Sequence, residues 1–165
     1  MPGSLTQGFS SFLEMQPGTE LGSSDWHRIS QEDINAFAKL TRDEDEYHIN
    51  PEWARQHSPL GTTISFGFLT LSMLTFFSHQ VFAEIGVESD DGTQLFNFGF
   101  NRVRMPEPVP AGARIRGQFT FGGARTRDAG GLEITLKAVV EIEGNDRPAV
   151  VADWLFVAVT AGVTG

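Results

Sequence analysis

Three residues in the segment from Thr41 to Leu74 have the types and spacing of an acid/base site. Asp43 and His48 lie five positions apart in a polar stretch that ends at Asn50-Pro51, and Gly67 opens a long apolar run. A carboxylate and an imidazole can hold one water molecule between them and move its proton. A glycine at the start of a helix adds a backbone N–H and the positive end of the helix dipole. The segment therefore predicts an active site at the mouth of a buried helix.

Simpler interpretations of the same residues limit this prediction. An Asp in a loop is often only a turn or capping residue, and a His is often a partly buried polar group. A metal site formed by Asp43, Asp45 and His48 is disfavoured, because the loop lacks a second His and the usual ligand spacings. A nucleophilic Ser65 is disfavoured because no elbow motif surrounds it. We expect no metal and no other cofactor.

Length and composition predict one hydrophobic core. The chain has 165 residues, 40% of them hydrophobic and 14 of them Phe, which suits one well-filled core better than two. The chain has no cysteine, which excludes disulfides, thiolate nucleophiles and cysteine-based zinc sites. We expect a covering segment over residues 1–18, which Pro17-Gly18 ends, and one domain over residues 19–165.

The net charge of −9 argues against a nucleic-acid partner, because recognition of a phosphate backbone needs a basic surface. Small anionic ligands remain open, since they need only one or two local cations. The run from Phe66 to Phe82 is interrupted by Thr, Ser, His and Gln, so it predicts a core helix and no membrane partner. The N-terminus lacks the pattern of a secretory signal, so we expect a cytoplasmic protein.

Residue periodicity predicts an α+β chain. Helices are expected over residues 30–40, 51–57 and 67–83, and strands over 20–29, 95–100, 113–125, 132–142 and 149–159. Turn residues at 128–131 and 143–146 predict antiparallel hairpins between the last three strands, and Gly122-Gly123 predicts a β-bulge. A long central helix wrapped by a curved antiparallel sheet of about five strands satisfies this order.

Two separated motifs resemble those of the MaoC-like, (R)-specific enoyl-thioester hydratases and dehydratases, in the branch that includes the nodulation protein N type. The first runs from Asp43 to Pro51, where the family has an Asp, four residues, a His and then x-D-P. The second runs from Ile64 to Leu71, where the family has I-A-H-G-[FM]-L at the start of its central helix. The similarity extends over residues 21–159 and includes the stretch 98–112.

The resemblance implies a hot-dog fold, a homodimer, and an acyl thioester substrate carried on coenzyme A or an acyl carrier protein. It implies that Asp43 takes a proton from water, that His48 orients this water and shares in proton transfer, and that Gly67 binds the thioester oxygen. The residues expected to contact the substrate or the carrier's phosphates are Asn50, Ser65, Phe66, Phe68, Arg102 and Arg104.

Two departures from the family pattern leave other functions open. Phe66 stands where the family usually has a His, and Asn50 stands where it usually has an Asp. An acidic run, residues 44–46, also lies between Asp43 and His48. A non-catalytic hot-dog module that binds an acyl chain or a partner is one alternative, and a hot-dog thioesterase is a weaker one. The presence of both Asp43 and His48 favours the hydratase or dehydratase.

Overall fold

An antiparallel sheet curves around one long helix, as the sequence predicts. The computed structural model of the chain describes residues 9–87 and 93–160. Within these ranges the helices are α1 (Gln31–Thr41), α2 (Glu46–Ile49), α3 (Pro51–His57) and α4 (Gly67–Glu84). The strands are β1 (Glu20–Ser23), β2 (His27–Arg28), β3 (Thr93–Arg104), β4 (Arg114–Thr126), β5 (Leu132–Ile142) and β6 (Val150–Thr160).

The sheet has the strand order β1-β4-β5-β6-β3, with β2 also paired to β4. The predicted hairpins β4-β5 and β5-β6 are confirmed, since each pair is antiparallel. The predicted bulge is confirmed as well, because the β4-β5 register shifts between Phe121 and Gly123. Gly123 has φ +146°, a backbone conformation that L residues with a side chain rarely adopt. β3 is the last strand in the order given above, so it lies at one edge of the sheet.

The single strand predicted over residues 20–29 is wrong, because two short strands, β1 and β2, occupy this stretch. The reason lies at Ser24, whose backbone N–H donates to the Gly117 carbonyl at 2.9 Å. The N–H of Gly117 returns to the Ser24 side-chain oxygen at 3.0 Å instead of to a backbone carbonyl. The side chain thus replaces one bond of the strand ladder and interrupts the strand.

The core lies between α4 and the sheet. α4 contacts β1, β4, β5 and β6, and it buries Thr70, Leu74, Phe77, Ser78, Val81 and Phe82. The apolar run of α4 is not buried on every side, because Phe68 and Phe76 are 72% and 42% exposed in a single chain. None of the helices within residues 9–87 and 93–160 combines the length and the hydropathy of a membrane span.

The covering segment contains a short 3₁₀ helix, Phe9–Leu13. Phe12 is fully buried, with its ring centroid 6.0 Å from that of Phe82 and 5.5 Å from that of Phe121. Phe9 and Phe12 are therefore buried against Phe82 near the C-terminal end of α4. The first eight residues of the predicted segment lie outside the described ranges.

A capping box fixes the start of α1. The Ser30 side chain accepts the Asp33 N–H, and the Asp33 carboxylate accepts the Ser30 N–H and hydroxyl. These bonds to the charged form hold the pKa of Asp33 below its usual range. Because the folded-state pKa is lowered, the stabilisation is present above the unfolded value and is lost as the pH falls through the folded one. The cap places Gln31, the first residue of α1, facing the segment that carries His48.

Candidate active site

His48 lies on α2, a one-turn helix that was not expected from the sequence. Asp45 caps α2, because its carboxylate accepts the Tyr47 N–H at 2.9 Å. One residue of the acidic run therefore has a structural role. Asn50 then caps α3, since its side-chain oxygen accepts the Trp53 N–H at 3.0 Å. The helix predicted over residues 51–57 is confirmed as α3.

The His48 ring is held in one orientation by a backbone carbonyl. Its Nδ1 lies 2.7 Å from the Ile64 carbonyl oxygen. A carbonyl oxygen only accepts hydrogen bonds, so Nδ1 must carry the proton. In the neutral ring Nε2 is then the acceptor. His48 is therefore poised to take a proton through Nε2.

The backbone around His48 is fixed by two further sets of hydrogen bonds. The Ile64 N–H donates to the Tyr47 carbonyl at 3.1 Å, so the segments meet on both sides of the ring. The Gln31 side-chain amide donates to the His48 carbonyl at 2.8 Å. The Thr63 hydroxyl donates to the side-chain oxygen of the same Gln31. α1, α2 and the segment before α4 are therefore tied together at the histidine.

Phe66 packs against the face of His48. The ring centroids are 3.8 Å apart with an interplanar angle of 30°, and Phe66 is 5% exposed. The other neighbour of Phe66 is Phe37 of α1, at 5.2 Å between centroids. The apolar residue at this position thus supports the imidazole by stacking. Its presence is compatible with an intact catalytic histidine.

A cavity of about 230 Å³ opens beside His48. Its lining residues are His48, Ile64, Ser65, Gly67, Thr70, Met105, Glu107, Pro108, Val109 and Ala149. Ser65 is buried, and its hydroxyl lies 3.2 Å from the Thr70 hydroxyl and from the Phe66 carbonyl oxygen. The backbone of Ser65 is anchored as well, because its N–H donates to the Val109 carbonyl at 2.7 Å. The structure therefore brings together three residues that the sequence singled out, His48, Ser65 and Gly67.

Gly67 is the first residue of α4, and its cap residue, Phe66, offers no side-chain hydrogen bond. The first N–H groups of a helix have no partner within the helix, and the helix dipole makes them attractive to negative charge. A Cβ added to Gly67 would overlap the sulfur of Met105. The absence of a side chain at Gly67 therefore leaves room for the Met105 side chain against the helix N-terminus.

The other predicted site residues lie outside the cavity lining. Asp43 is exposed in the loop between α1 and α2, and it makes no hydrogen bond or ion pair within residues 9–87 and 93–160. Phe68 is 72% exposed, and Asn50 is engaged as a helix cap. Arg102 and Arg104 are exposed on β3. Among the described residues no group of three or more His, Asp or Glu side chains is arranged to hold a metal.

Three residues of this site were missed from the sequence. Gln31 lies far from His48 along the chain, and Met105 and Glu107 lie on the loop after β3. The Pro-rich stretch that contains Glu107 was a visible signal, because prolines on both sides of a residue restrict its backbone. No pattern in the sequence indicates the Gln31 contact, since it depends on how α1 packs.

Gly67→Ala is expected to lower kcat/KM for the thioester reaction by about 10²-fold while leaving the fold intact. The added methyl group displaces the flexible Met105 side chain, which is 40% exposed, and enters the cavity beside the helix N–H groups. Steady-state kinetics and thermal unfolding check both parts. Gly67→Ala combined with Met105→Ala removes the overlap with sulfur. Restored activity in the double variant would contradict a direct effect of the methyl group on substrate.

Comparison with known proteins identifies the family. The family model described as MaoC like domain matches residues 13–142. The chain is 40% identical over 141 residues to 3-hydroxyacyl-thioester dehydratase Z of Mycobacterium tuberculosis, which covers 86% of this chain and 89% of that protein. It is 40% identical over 138 residues to Nodulation protein N of Rhizobium leguminosarum bv. viciae, covering 84% and 83%.

The fold agrees with this match. A crystal structure of a protein from Archaeoglobus, described as a monoamine oxidase regulatory protein, superposes with a TM-score of 0.73. The superposition covers 95% of this chain and 99% of that chain at 23% sequence identity. The expected hot-dog fold and the expected branch are confirmed. The chain belongs to the MaoC-like dehydratase family.

Proposed function

We propose that the protein adds water to a trans-2-enoyl thioester, or removes it from the (R)-3-hydroxyacyl thioester, with His48 and Asp43 activating the water. The class of reaction is confirmed by the family and by curated relatives named as 3-hydroxyacyl-thioester dehydratases. The residue roles are the proposed part. The observation that carries them is the cavity lined by both His48, whose Nδ1 is bonded to Ile64, and Gly67, the first residue of α4.

Hydration requires a proton to leave water as its oxygen attacks the β-carbon. In the proposed step, His48 Nε2 accepts a hydrogen bond from this water, while Nδ1–H stays on the Ile64 carbonyl. The Asp43 carboxylate takes the proton as the water oxygen bonds to the β-carbon, and the electron pair of the double bond moves into the thioester as an enolate. The protonated Asp43 then gives a proton to the α-carbon as the enolate collapses, which restores the carboxylate. Dehydration runs through the same groups in reverse. Asp43 must come within reach of the water, and closure of the site by a second copy or by substrate would bring it there.

The negative charge that develops on the thioester oxygen needs a donor. Gly67, the first residue of α4, lines the cavity, and its N–H supplies this donor in the proposal. One such donor typically lowers the barrier by about 3 kcal/mol. Ser65 supports the helix start, and Phe66 holds the imidazole face. Arg102 and Arg104 on the exposed side of β3 are proposed to meet the phosphates of the carrier.

A non-catalytic acyl-binding module is the second candidate, because Phe66 replaces a polar family residue. The family and the presence of both Asp43 and His48 favour the enzyme. A thioesterase would attack the carbonyl carbon with the same water. Product analysis distinguishes these functions, because only a hydratase consumes the conjugated double bond and leaves the thioester intact.

The experiment is to follow loss of the conjugated enoyl-thioester absorbance with short, medium and long trans-2-enoyl-CoA. Chiral analysis of the product should give the (R)-3-hydroxyacyl thioester. Free thiol released without hydration would instead indicate a thioesterase. If the protein binds acyl-CoA and turns over neither the CoA esters nor the same acyl groups on an acyl carrier protein, the binding module is correct.

We also propose a homodimer that forms at the edge of the sheet. Among the described strands β3 pairs only with β6, so its other edge is unpaired. β3 also exposes Phe96 and Phe98, at 50% and 53%. An unpaired apolar edge strand favours pairing with a second chain, and a twofold axis would join two copies of β3. Phe68 and Phe76 on α4 are further exposed apolar residues.

We also propose that the protein is cytoplasmic. The absence of cysteine fits this location, because disulfides are rare there.

Phe98→Glu is expected to shift the protein from dimer to monomer in sedimentation-velocity measurements. The substitution places a charge at the proposed β3 edge, where it must be desolvated on pairing. Leu40→Glu is the matched control, because Leu40 is 79% exposed on α1, away from β3. The control should remain dimeric. A dimer that both variants leave unchanged would place the interface elsewhere.

A further inference from the structure

An acidic residue that the proposed reaction does not use lines the candidate active site. Glu107 lines the cavity together with His48 and Gly67, and its side chain is 25% exposed. It is the only acidic residue among the described residues of the cavity lining. Most of its neighbours on that wall are apolar, including Met105, Pro108 and Val109. A charge in such a place costs desolvation, so its position calls for a function.

Glu107 is held firmly in place. Pro106 and Pro108 flank it and restrict the backbone on either side. The loop is tied to the segment before α4 by two bonds, from Ser65 N–H to the Val109 carbonyl at 2.7 Å and from Ala111 N–H to the Thr63 carbonyl at 2.9 Å. The carboxylate therefore has a defined position relative to Gly67, which is the requirement for a residue that selects among substrates.

Arg147, on the turn between β5 and β6, holds Glu107 from outside. Its guanidinium lies 3.4 Å from the Glu107 carboxylate and donates to the Pro106 carbonyl at 3.2 Å. The Arg147 side chain is 67% exposed, so water screens much of its charge. The charge of Glu107 is thus compensated only in part.

The cavity is small enough for this charge to affect an acyl group throughout it. A volume of about 230 Å³ corresponds to roughly eight non-hydrogen atoms, at about 30 Å³ for each water-sized group. This is the size of a five-carbon enoyl thioester end. Any carboxylate on such an acyl chain would lie close to Glu107, in surroundings where like charges repel more strongly than in water.

We propose that Glu107 is a specificity-determining residue that excludes acyl groups carrying a negative charge and thereby restricts the enzyme to neutral acyl thioesters. The proposal rests on the proposed function for the location of the acyl group. Arg147 positions the carboxylate and moderates its repulsion. Removing the Glu107 charge should admit anionic chains, and removing the Arg147 charge should exclude them further.

The test compares trans-2-pentenoyl-CoA with glutaconyl-CoA, which have acyl chains of equal carbon number and differ by a terminal carboxylate. The measured quantity is the ratio of kcat/KM for the neutral over the anionic substrate. Glu107→Gln should lower this ratio at least tenfold, and Arg147→Gln should raise it. Glu143→Gln is the matched control, because Glu143 also pairs with an arginine, Arg114, and does not line the cavity. The control should keep the wild-type ratio.

A double variant separates two explanations of a lowered ratio. If Glu107 repels the anion, the variant that combines Glu107→Gln with Arg147→Gln keeps the lowered ratio of kcat/KM. If the lowered ratio arises because Arg147 binds the substrate carboxylate once Glu107 is neutral, the double variant returns to the wild-type ratio. That result overturns the proposal. An unchanged ratio in Glu107→Gln also overturns it.

Binding of the saturated thioesters tests the same discrimination without turnover. The ratio of Kd values for pentanoyl-CoA and glutaryl-CoA, measured by calorimetry, should change in the same direction in each variant. A protein that shows this discrimination in binding and hydrates no enoyl thioester would retain the specificity of Glu107 and lose the proposed function. A protein that hydrates enoyl thioesters without discriminating against the anionic chain would retain the proposed function and overturn the role of Glu107.

Discussion

His48→Gln is expected to reduce kcat/KM for enoyl-thioester hydration by about 10²–10⁴-fold, with little change in the temperature of unfolding. Glutamine can still donate a hydrogen bond towards the Ile64 carbonyl, which His48 now contacts at 2.7 Å through Nδ1. While it bonds this carbonyl it offers no acceptor at the position of Nε2, so the attacking water loses the group that orients it in the proposed step. The loss should therefore appear in kcat more than in binding, and single-turnover kinetics can separate the two.

His57→Gln is a closely matched control for this variant. The His57 Nδ1 also lies near a backbone carbonyl, that of Trp53, at 2.8 Å, and its ring also stacks on an aromatic side chain, with the centroids 4.4 Å apart. His57 is exposed at the end of α3 and does not line the cavity. It should retain wild-type activity. Equal losses in both variants would show that the effect of His48→Gln is not specific to the cavity.

Asp43→Asn is expected to reduce kcat/KM by about 10²–10⁴-fold as well, although Asp43 is exposed and has no partner in the described parts of a single chain. An amide of the same size cannot take a proton from water. If Asp43 reaches the water only when the site closes, substrate affinity should change much less than turnover. Measuring Kd for a saturated acyl-CoA beside kcat checks this expectation.

Asp45→Asn is the control in the same loop. The Asp45 side chain caps α2 by accepting the Tyr47 N–H, and Asn is an equally good cap. This variant should keep most of its activity, although the formal charge of the loop changes in the same way as in Asp43→Asn. Full activity in Asp43→Asn would remove Asp43 from the mechanism and leave His48 and Glu107 as the titratable groups of the cavity lining.

The regular part of the fold follows from residue patterns. Alternation over residues 132–142 gives β5 with the predicted bounds, and the turn residues beside it give both hairpins. These signals are local, because a strand with one buried face must repeat every two residues. β1 and β2 could not be separated in this way, since the break at Ser24 depends on a side-chain bond to Gly117 of a distant strand.

The part of the site that depends on local sequence could be predicted. Gly67 was identified because a helix N-terminus open to a ligand needs a small residue, and it lines the cavity with His48. The exposure of Phe68 was not predictable, because the apolar character of α4 does not indicate which face the sheet covers. Gln31 and Glu107 reach the site only through contacts between elements far apart in the chain.

The stacking of Phe66 on His48 also has a spectroscopic consequence. Protons above the face of an aromatic ring are shielded, so the imidazole C–H signals of His48 should lie upfield of those of an unstacked histidine in NMR spectra. His57 lies over Trp53 and should be shifted as well. The spectrum of His57→Gln would assign one shifted pair of signals and leave the other to His48. Titration of that signal would then report directly on the protonation of the His48 ring, with and without a bound acyl thioester.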